Sequence, residues 1–296
     1  MNDKGNHGSK DYILEENGEL TKDPKKIGDI FIEYYTNIVE YTTGTPPIQI
    51  PTSENSDLIN VILDYYKNHN SIQEIGKYDI ANIFELPLAD ENDISEIIQK
   101  LDGSKSSGLD NISVRLVKSA AEIISKPLTF ILNHCIRKGN FPDKMKIARI
   151  TPLLKKGTRQ DKECYRPVSV LSCFSKIYER YILNAMLSHV NTILNDTISA
   201  YRQGYSCHHV LLKLTDKWRR HLDQNKTVGA VLMDLSKAFD CLPHELLIAK
   251  LGAYGFSKNT LKFFHSYLKN RKQAVSIKGN ISDLWIYWLV YPKGPF

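Results

Sequence analysis

No two aspartates stand side by side anywhere in the 296 residues, and no two cysteines take the C-x-x-C spacing. The five cysteines, Cys135, Cys164, Cys173, Cys207 and Cys241, are odd in number and scattered. That argues against a disulfide framework and against a zinc ribbon, and favours a reducing compartment. No apolar run approaches the length of a membrane span, and the polar start MNDKGNHGSKDY is not a signal peptide. The expectation is a soluble intracellular protein, cytoplasmic or nuclear, not secreted and without a membrane partner. No internal repeat is visible.

What is present is a chain 42% hydrophobic with a mild net charge of +6, enough for one large domain or two small ones with a real core. The charge is unevenly spread. Lys144, Lys146, Arg149, Lys155, Lys156, Arg159, Lys162 and Arg166 face only Asp161 and Glu163 in the same stretch. Such a segment can attract phosphates, or it can be a solvated loop; charge alone does not choose between them.

Along the chain, residues 1–25 are polar and read as a loose lead-in. Ile27, Ile30, Phe31, Tyr34, Tyr35, Ile38 and Val39 recur at helical spacing and predict one amphipathic helix. The Pro-rich stretch 42–56 reads as a linker, which places a boundary near residue 85: a connector region over 1–85 and a domain over 86–296. Asp90 is a candidate N-cap ahead of Ile94, Ile97, Ile98 and Leu101. Helices are expected over Val114–Ile124 and Pro127–Arg137, with Pro127 in a first turn. Ala148–Leu154 and Tyr165–Leu171 read as hairpin partners around the basic loop. Further helices follow around Ile177–Met186, Leu211–Leu222, His244–Tyr254 and Asn259–Leu268. Val228–Leu235 and Gln273–Lys278 are expected to be strands. The fold class is α+β, helices around an antiparallel sheet.

The residue with the most chemical content is Asp234. The run GAVLM precedes it, so the strand is expected to be buried on both faces, where a carboxylate is costly unless a partner or a cation satisfies it. A carboxylate fixed at a strand edge suits Mg²⁺, which takes hard oxygen ligands and completes its shell with phosphates. A helix cap or a salt bridge to a lysine is the commoner fate of an aspartate. Cys207, His208 and His209 also invite a metal reading, but no second cluster completes a tetrahedral site, so they read as structural or exposed.

The residues around Asp234, DLSKAFD, resemble the first carboxylate motif of the reverse transcriptases of LINE-type (non-LTR) retrotransposons. The resemblance extends in order through SSGLDNISVRLVK, GNFPDKMKIARITPLLKKG, YRPVSVLSCFSKIYERYI, SAYRQGYSCHHVLLKL, LMDLSKAFDCLPHELLIAKL and SYLKNRKQAVSIKG, from about residue 86 to 280. It implies a partial right-hand polymerase: helical fingers with a β-hairpin, an incomplete antiparallel palm sheet and no thumb. It implies an RNA template, a DNA primer, deoxynucleoside triphosphates and Mg²⁺ as partners. Asp234 would be the catalytic residue and metal ligand, helped by the Leu235 carbonyl. Phe239 would be the steric gate against a 2′-hydroxyl; its bland alternative is ordinary core. Arg166 would clamp the triphosphate in a bidentate way, and Lys155 or Lys156 would add a point charge, the sequence not deciding which.

The pattern also departs from the family. The G-V-P-Q-G-S loop and the hairpin bearing two adjacent aspartates are missing. The last residues, VYPKGPF, are what a one-nucleotide frame shift makes of a string that would otherwise encode Gly-Val-Pro-Gln-Gly-Ser-Ile. The expectation is therefore a frameshifted or mis-assigned piece of a longer gene, inactive as a polymerase because groups acting as a unit fail together. The alternatives are a non-catalytic RNA-binding remnant and a pseudogene product without a stable fold.

Overall fold

The structure is a computed structural model. It describes residues 12–16, 18–43, 57–78, 80, 82–155, 157–195, 197–234 and 241–287. Its contacts divide the chain into two units, Met1–Met186 with Phe239–Phe296, and Leu187–Ala238.

In the larger unit, β1 (Leu14–Glu16) and β2 (Glu19–Thr21) pair as an antiparallel hairpin within the stretch expected to be loose. Helix α1 (Pro24–Thr36) starts where Asp23 accepts a bond from the Lys25 N–H at 3.0 Å and Pro24 supplies a preset φ. It ends at Asn37, and α2 (Ile38–Thr43) follows, so the expected single helix is two. Two further helices, α3 (Leu58–Tyr66) and α4 (Asn70–Ile75), had no counterpart in the sequence reading. Helix α5 (Glu91–Lys100) opens on the expected cap: Asp90 accepts from Asn92, and Asp93 accepts from the Asp90 N–H at 3.0 Å.

Next come α6 (Val114–Ser119) and α7 (Ala121–Lys138). Pro127 sits inside α7, not in a first turn. The backbone bond it forgoes is offset by the burial of Leu128, Leu132, Cys135 and Ile136 along the same helix. Strand β3 (Ile147–Leu154) pairs antiparallel with β4 (Tyr165–Val170), as expected. Helix α8 (Cys173–Ile193) begins in the larger unit and runs on into the smaller one. In the larger unit, α10 (His244–Ala253), α11 (Lys258–Leu268) and β5 (Arg271–Ile277) complete the core, with β6 (Asn280–Ile281) and β7 (Trp285–Tyr287) along the far side of β5. The smaller unit carries α9 (Cys207–Asp223).

The sheet runs β4-β3-β5-β6, with β7 also on β5. The pairing of β3 with β5 is parallel, Ile147 with Lys272 through Ile150 with Val275. The expected antiparallel sheet is thus a mixed one. A parallel neighbour needs a long crossover, and more than a hundred residues separate these two strands, too far for a hairpin signal to show. One sheet face carries Ala148, Ile150, Tyr165, Val275 and Ile277 into a core closed by Phe31, Tyr34 and Tyr35 of α1. Phe31 and Tyr165 meet edge to face at 5.0 Å. This packing joins residues on both sides of the boundary expected at 85. The second core gathers Ile94, Ile98, Leu132, Ile177 and Tyr178 around Phe141, whose ring lies 5.8 Å from that of Phe263 and 5.0 Å from that of Tyr267.

The expected strand Val228–Leu235 is not one: described positions 226–234 carry no regular secondary structure. Val231, Leu232 and Met233 are 87%, 96% and 89% exposed, not buried. An apolar run becomes a strand only against a neighbour that takes its hydrogen bonds, and no described strand lies beside this one. Similarly, α9 forms as expected but buries none of its residues.

A polar seam ties α8, α11 and β5 together. The Tyr267 hydroxyl donates to Glu179 at 2.7 Å, and the Arg271 guanidinium lies over the Tyr267 ring at 4.7 Å. Burial raises the Glu179 carboxyl, with Arg271 and Tyr267 opposing. Nearby, burial lowers both His244, with help from Arg271, and His265, with help from Lys269 and Lys146, each to about 4. A free histidine titrates near 6.5, so between about 6.5 and 4 the unfolded chain takes up protons that the folded chain refuses, and stability falls as pH falls. Glu179 acts in the opposite sense, gaining stability towards low pH, but it is one group against two. The urea midpoint is therefore expected to be lower at pH 5 than at pH 7.5, and His265→Gln should flatten that dependence. A midpoint that rises on acidification would contradict this account.

Candidate functional site

The β3–β4 hairpin brings two of the expected residues together. Leu153 pairs with Arg166, and beyond the last strand residue the ladder continues through the Lys155 N–H donating to the Cys164 carbonyl at 2.9 Å. Opposed residues of an antiparallel pair share a face, and the faces alternate along each strand. Lys155, Leu153 and Arg166 therefore lie on one face, while Leu154 and Tyr165 point into the α1 core. Lys155 and Arg166 are both exposed. Alternation thus gives Lys155 the face of Arg166; Lys156 lies outside the described residues.

The hairpin loop is held by its own backbone. A 3-10 turn over Lys162–Cys164 starts at Asp161, whose carboxylate accepts from the Glu163 N–H at 2.8 Å and from the Cys164 thiol at 3.5 Å. Desolvation first, and the hydrogen bond to Asp161 second, push the Cys164 thiol up. Lys162 reaches away, to Glu16 at 3.3 Å and over the rings of Tyr34 and Tyr41. Gly157 has φ of +92°, and a Cβ placed there would stand 2.5 Å from Cys164 Sγ. Two requirements, a left-handed backbone and room for the thiol, thus converge on one glycine.

Asp234 lies in the smaller unit, exposed, at the end of the irregular segment. Among the described residues no three His, Cys, Asp or Glu side chains come together to hold a metal ion, which includes the Cys207, His208, His209 trio. Asp234 by itself is not a donor set that fits a divalent cation. Leu235 and Phe239 lie outside the described residues. No described helix is long and apolar enough to cross a membrane.

Arg149, which the sequence marks only as one cation of the basic stretch, and Lys272, which it does not mark at all, join this face. Arg149 pairs with Val170 and with Ala274, and Lys272 pairs with Ile147, which sets both on the face of Lys155 and Arg166. The alternation within RITPLLK would have found Arg149; Lys272 depends on the parallel pairing.

The family model for the reverse transcriptase (RNA-dependent DNA polymerase) matches residues 153–294. Over 205 residues the chain is 32% identical to a probable RNA-directed DNA polymerase from transposon BS of Drosophila melanogaster, covering 68% of this chain and 22% of that protein. It is 28% identical over 210 residues to an RNA-directed DNA polymerase from mobile element jockey of Drosophila funebris, again 68% of this chain and 22% of the relative. With a Pol polyprotein of the type-1 retrotransposable element R1 of Bradysia coprophila it shares 26% identity over 213 residues, 68% of this chain and 20% of the other. Residues 153–294, from the end of β3 onward, are therefore part of a reverse transcriptase domain, in a mixed helix-and-sheet fold. The chain belongs to the reverse transcriptases of non-LTR mobile elements. It spans about a fifth of the length of these relatives.

The geometry of the loop predicts that Gly157→Ala costs about 1–3 kcal/mol, through forced φ and the clash with Cys164. Adding Cys164→Ala should return part of that loss in a chemical denaturation series. If Gly157→Ala alone is neutral, the loop is not strained as described.

Proposed function

We propose that this chain is a portion of an RNA-directed DNA polymerase of a non-LTR retrotransposon, comprising its fingers and the first part of its palm, whose complete form copies an RNA template into DNA from a DNA primer. Residues 1–85 would form a connector region and 86–296 the polymerase portion. The observation that carries the assignment is the shared face of Lys155 and Arg166, in a chain belonging to this family.

On this reading the hairpin face binds the triphosphate of a deoxynucleotide. Arg166 presents a planar fork of donors that matches two phosphate oxygens at once. Lys155, two positions along the ladder, adds a compact positive charge. Both act before any chemistry, by holding the substrate and neutralising its charge. Reverse transcriptases generally use divalent metal ions; we assign Asp234, with the Leu235 carbonyl, as this chain's contribution to a Mg²⁺ site in the complete enzyme. Phe239 is assigned as the gate that excludes a 2′-hydroxyl. A single carboxylate does not balance the charge of such a site, so the 296-residue chain is expected to add no nucleotide to a primer.

Two measurements test this. Titrating a deoxynucleoside triphosphate against the chain should show binding that weakens about tenfold or more in Arg166→Lys, because a bidentate clamp becomes a point contact. Lys126→Gln, on α7, should leave it unchanged. Equal affinity for all three proteins would remove the hairpin from the nucleotide site. A primer–template assay should show no extension, while RNA binding survives Asp234→Ala; detectable extension by the purified chain would overturn the expectation of inactivity.

A further inference from the structure

The sheet face that holds Lys155 and Arg166 does not end with them. Arg149 lies six residues before Lys155 on the same face, a separation of roughly 20 Å at the rise of a strand. Lys272 continues the series onto β5, opposite Ile147. Arg149 is half-buried, and Lys155, Arg166 and Lys272 are exposed. None of the four is ion-paired among the described residues, whereas Lys67, Lys100, Lys146, Lys162, Arg220 and Lys262, all lying elsewhere, each sit within 4 Å of a carboxylate. The paired registers put no aspartate or glutamate on this face. Of the two carboxylates nearest Arg166 along the chain, Glu163 makes no ion pair among the described residues and Asp161 is engaged by its own turn. Between Arg149 and Lys155 stands Leu153, 56% exposed, and Ile286, 45% exposed, flanks Lys272 on the outer strand.

Four cations along one face, without an ion pair among the described residues and with apolar side chains beside them, form a track longer than the two groups that would clamp one triphosphate. A ligand matching it must carry a row of negative charges and apolar surface together, which is the chemistry of a nucleic-acid strand. We propose that Arg149 and Lys272 bind the phosphate backbone of the RNA strand, so that the face runs from a nucleotide-binding end at Lys155 and Arg166 to a strand-binding end at Lys272. The polymerase reading supplies the identity of the polyanion, and the track itself rests on the β3–β5 register.

The test is the salt dependence of binding of a short, fluorescently labelled single-stranded RNA to the full chain. Removing two phosphate contacts, in Arg149→Gln with Lys272→Gln, should lower the slope of log affinity against log salt by about 1.4 and weaken binding at low salt by about tenfold. The control, Lys126→Gln with Lys258→Gln, removes the same charge from exposed sites on α7 and α11 and should change neither. Arg149→Lys with Lys272→Arg keeps the charges and should keep the slope, which guards against loss of fold in the neutral pair. Deoxynucleotide affinity should be retained in the neutral pair. That separates this inference from the nucleotide assignment, which fails through Arg166→Lys instead. The proposal is overturned if the neutral pair matches the control, or if polyglutamate displaces the RNA as effectively as unlabelled RNA does.

Discussion

Strand β3 is held from both sides, antiparallel by β4 and parallel by β5, and this double pairing is the constraint on which the larger unit depends. Each pairing fixes the register of the other, because slipping β3 by one residue would turn Ala148 and Ile150 out of the core and Arg149 into it. The apolar face then has one place to go, against Phe31, Tyr34 and Tyr35 of α1. The opposite face is left with the cations. Core and candidate site are thus two sides of one alternation, and neither can be rearranged without the other.

That dependence explains which parts could be read from the sequence. The hairpin was legible because its two strands are close in the chain and each alternates on its own. The Asp90 cap was legible because its bonds reach only two or three residues on. The parallel partner of β3 was not, since nothing in the composition of QAVSIK names a strand about 125 residues earlier. Nor was the hairpin of β1 and β2, whose polar sequence carries no strand pattern and whose anchoring is tertiary: Leu14 is fully buried in the α1 core. Pro127 misled for the same reason, because a first-turn preference is weak beside the burial available along α7.

The candidate site divides along the same line. Lys155 and Arg166 needed only a hairpin register, which the β3–β4 ladder carries to Arg166 and one further backbone bond extends to Lys155. Asp234 needed a sheet. Its segment has the composition of a buried strand, yet Val231, Leu232 and Met233 stand almost fully exposed. Apolar content gives a segment a reason to leave water, but a strand exists only when a neighbour accepts its backbone bonds. In the larger unit β3 has two such neighbours; the run before Asp234 has none among the described residues.

This contrast bears on where chemistry can reside. Binding a phosphate by a fixed cation is nearly a property of one strand pair, since the charge tolerates small errors of position and works in solvent. Holding a catalytic cation is a property of several elements at once, because its oxygen donors must meet within a fraction of an ångström and share the charge. On the proposed reading, the phosphate-binding pair Lys155 and Arg166 needs only a locally specified hairpin, whereas metal binding at Asp234 would need further carboxylates brought in from other elements.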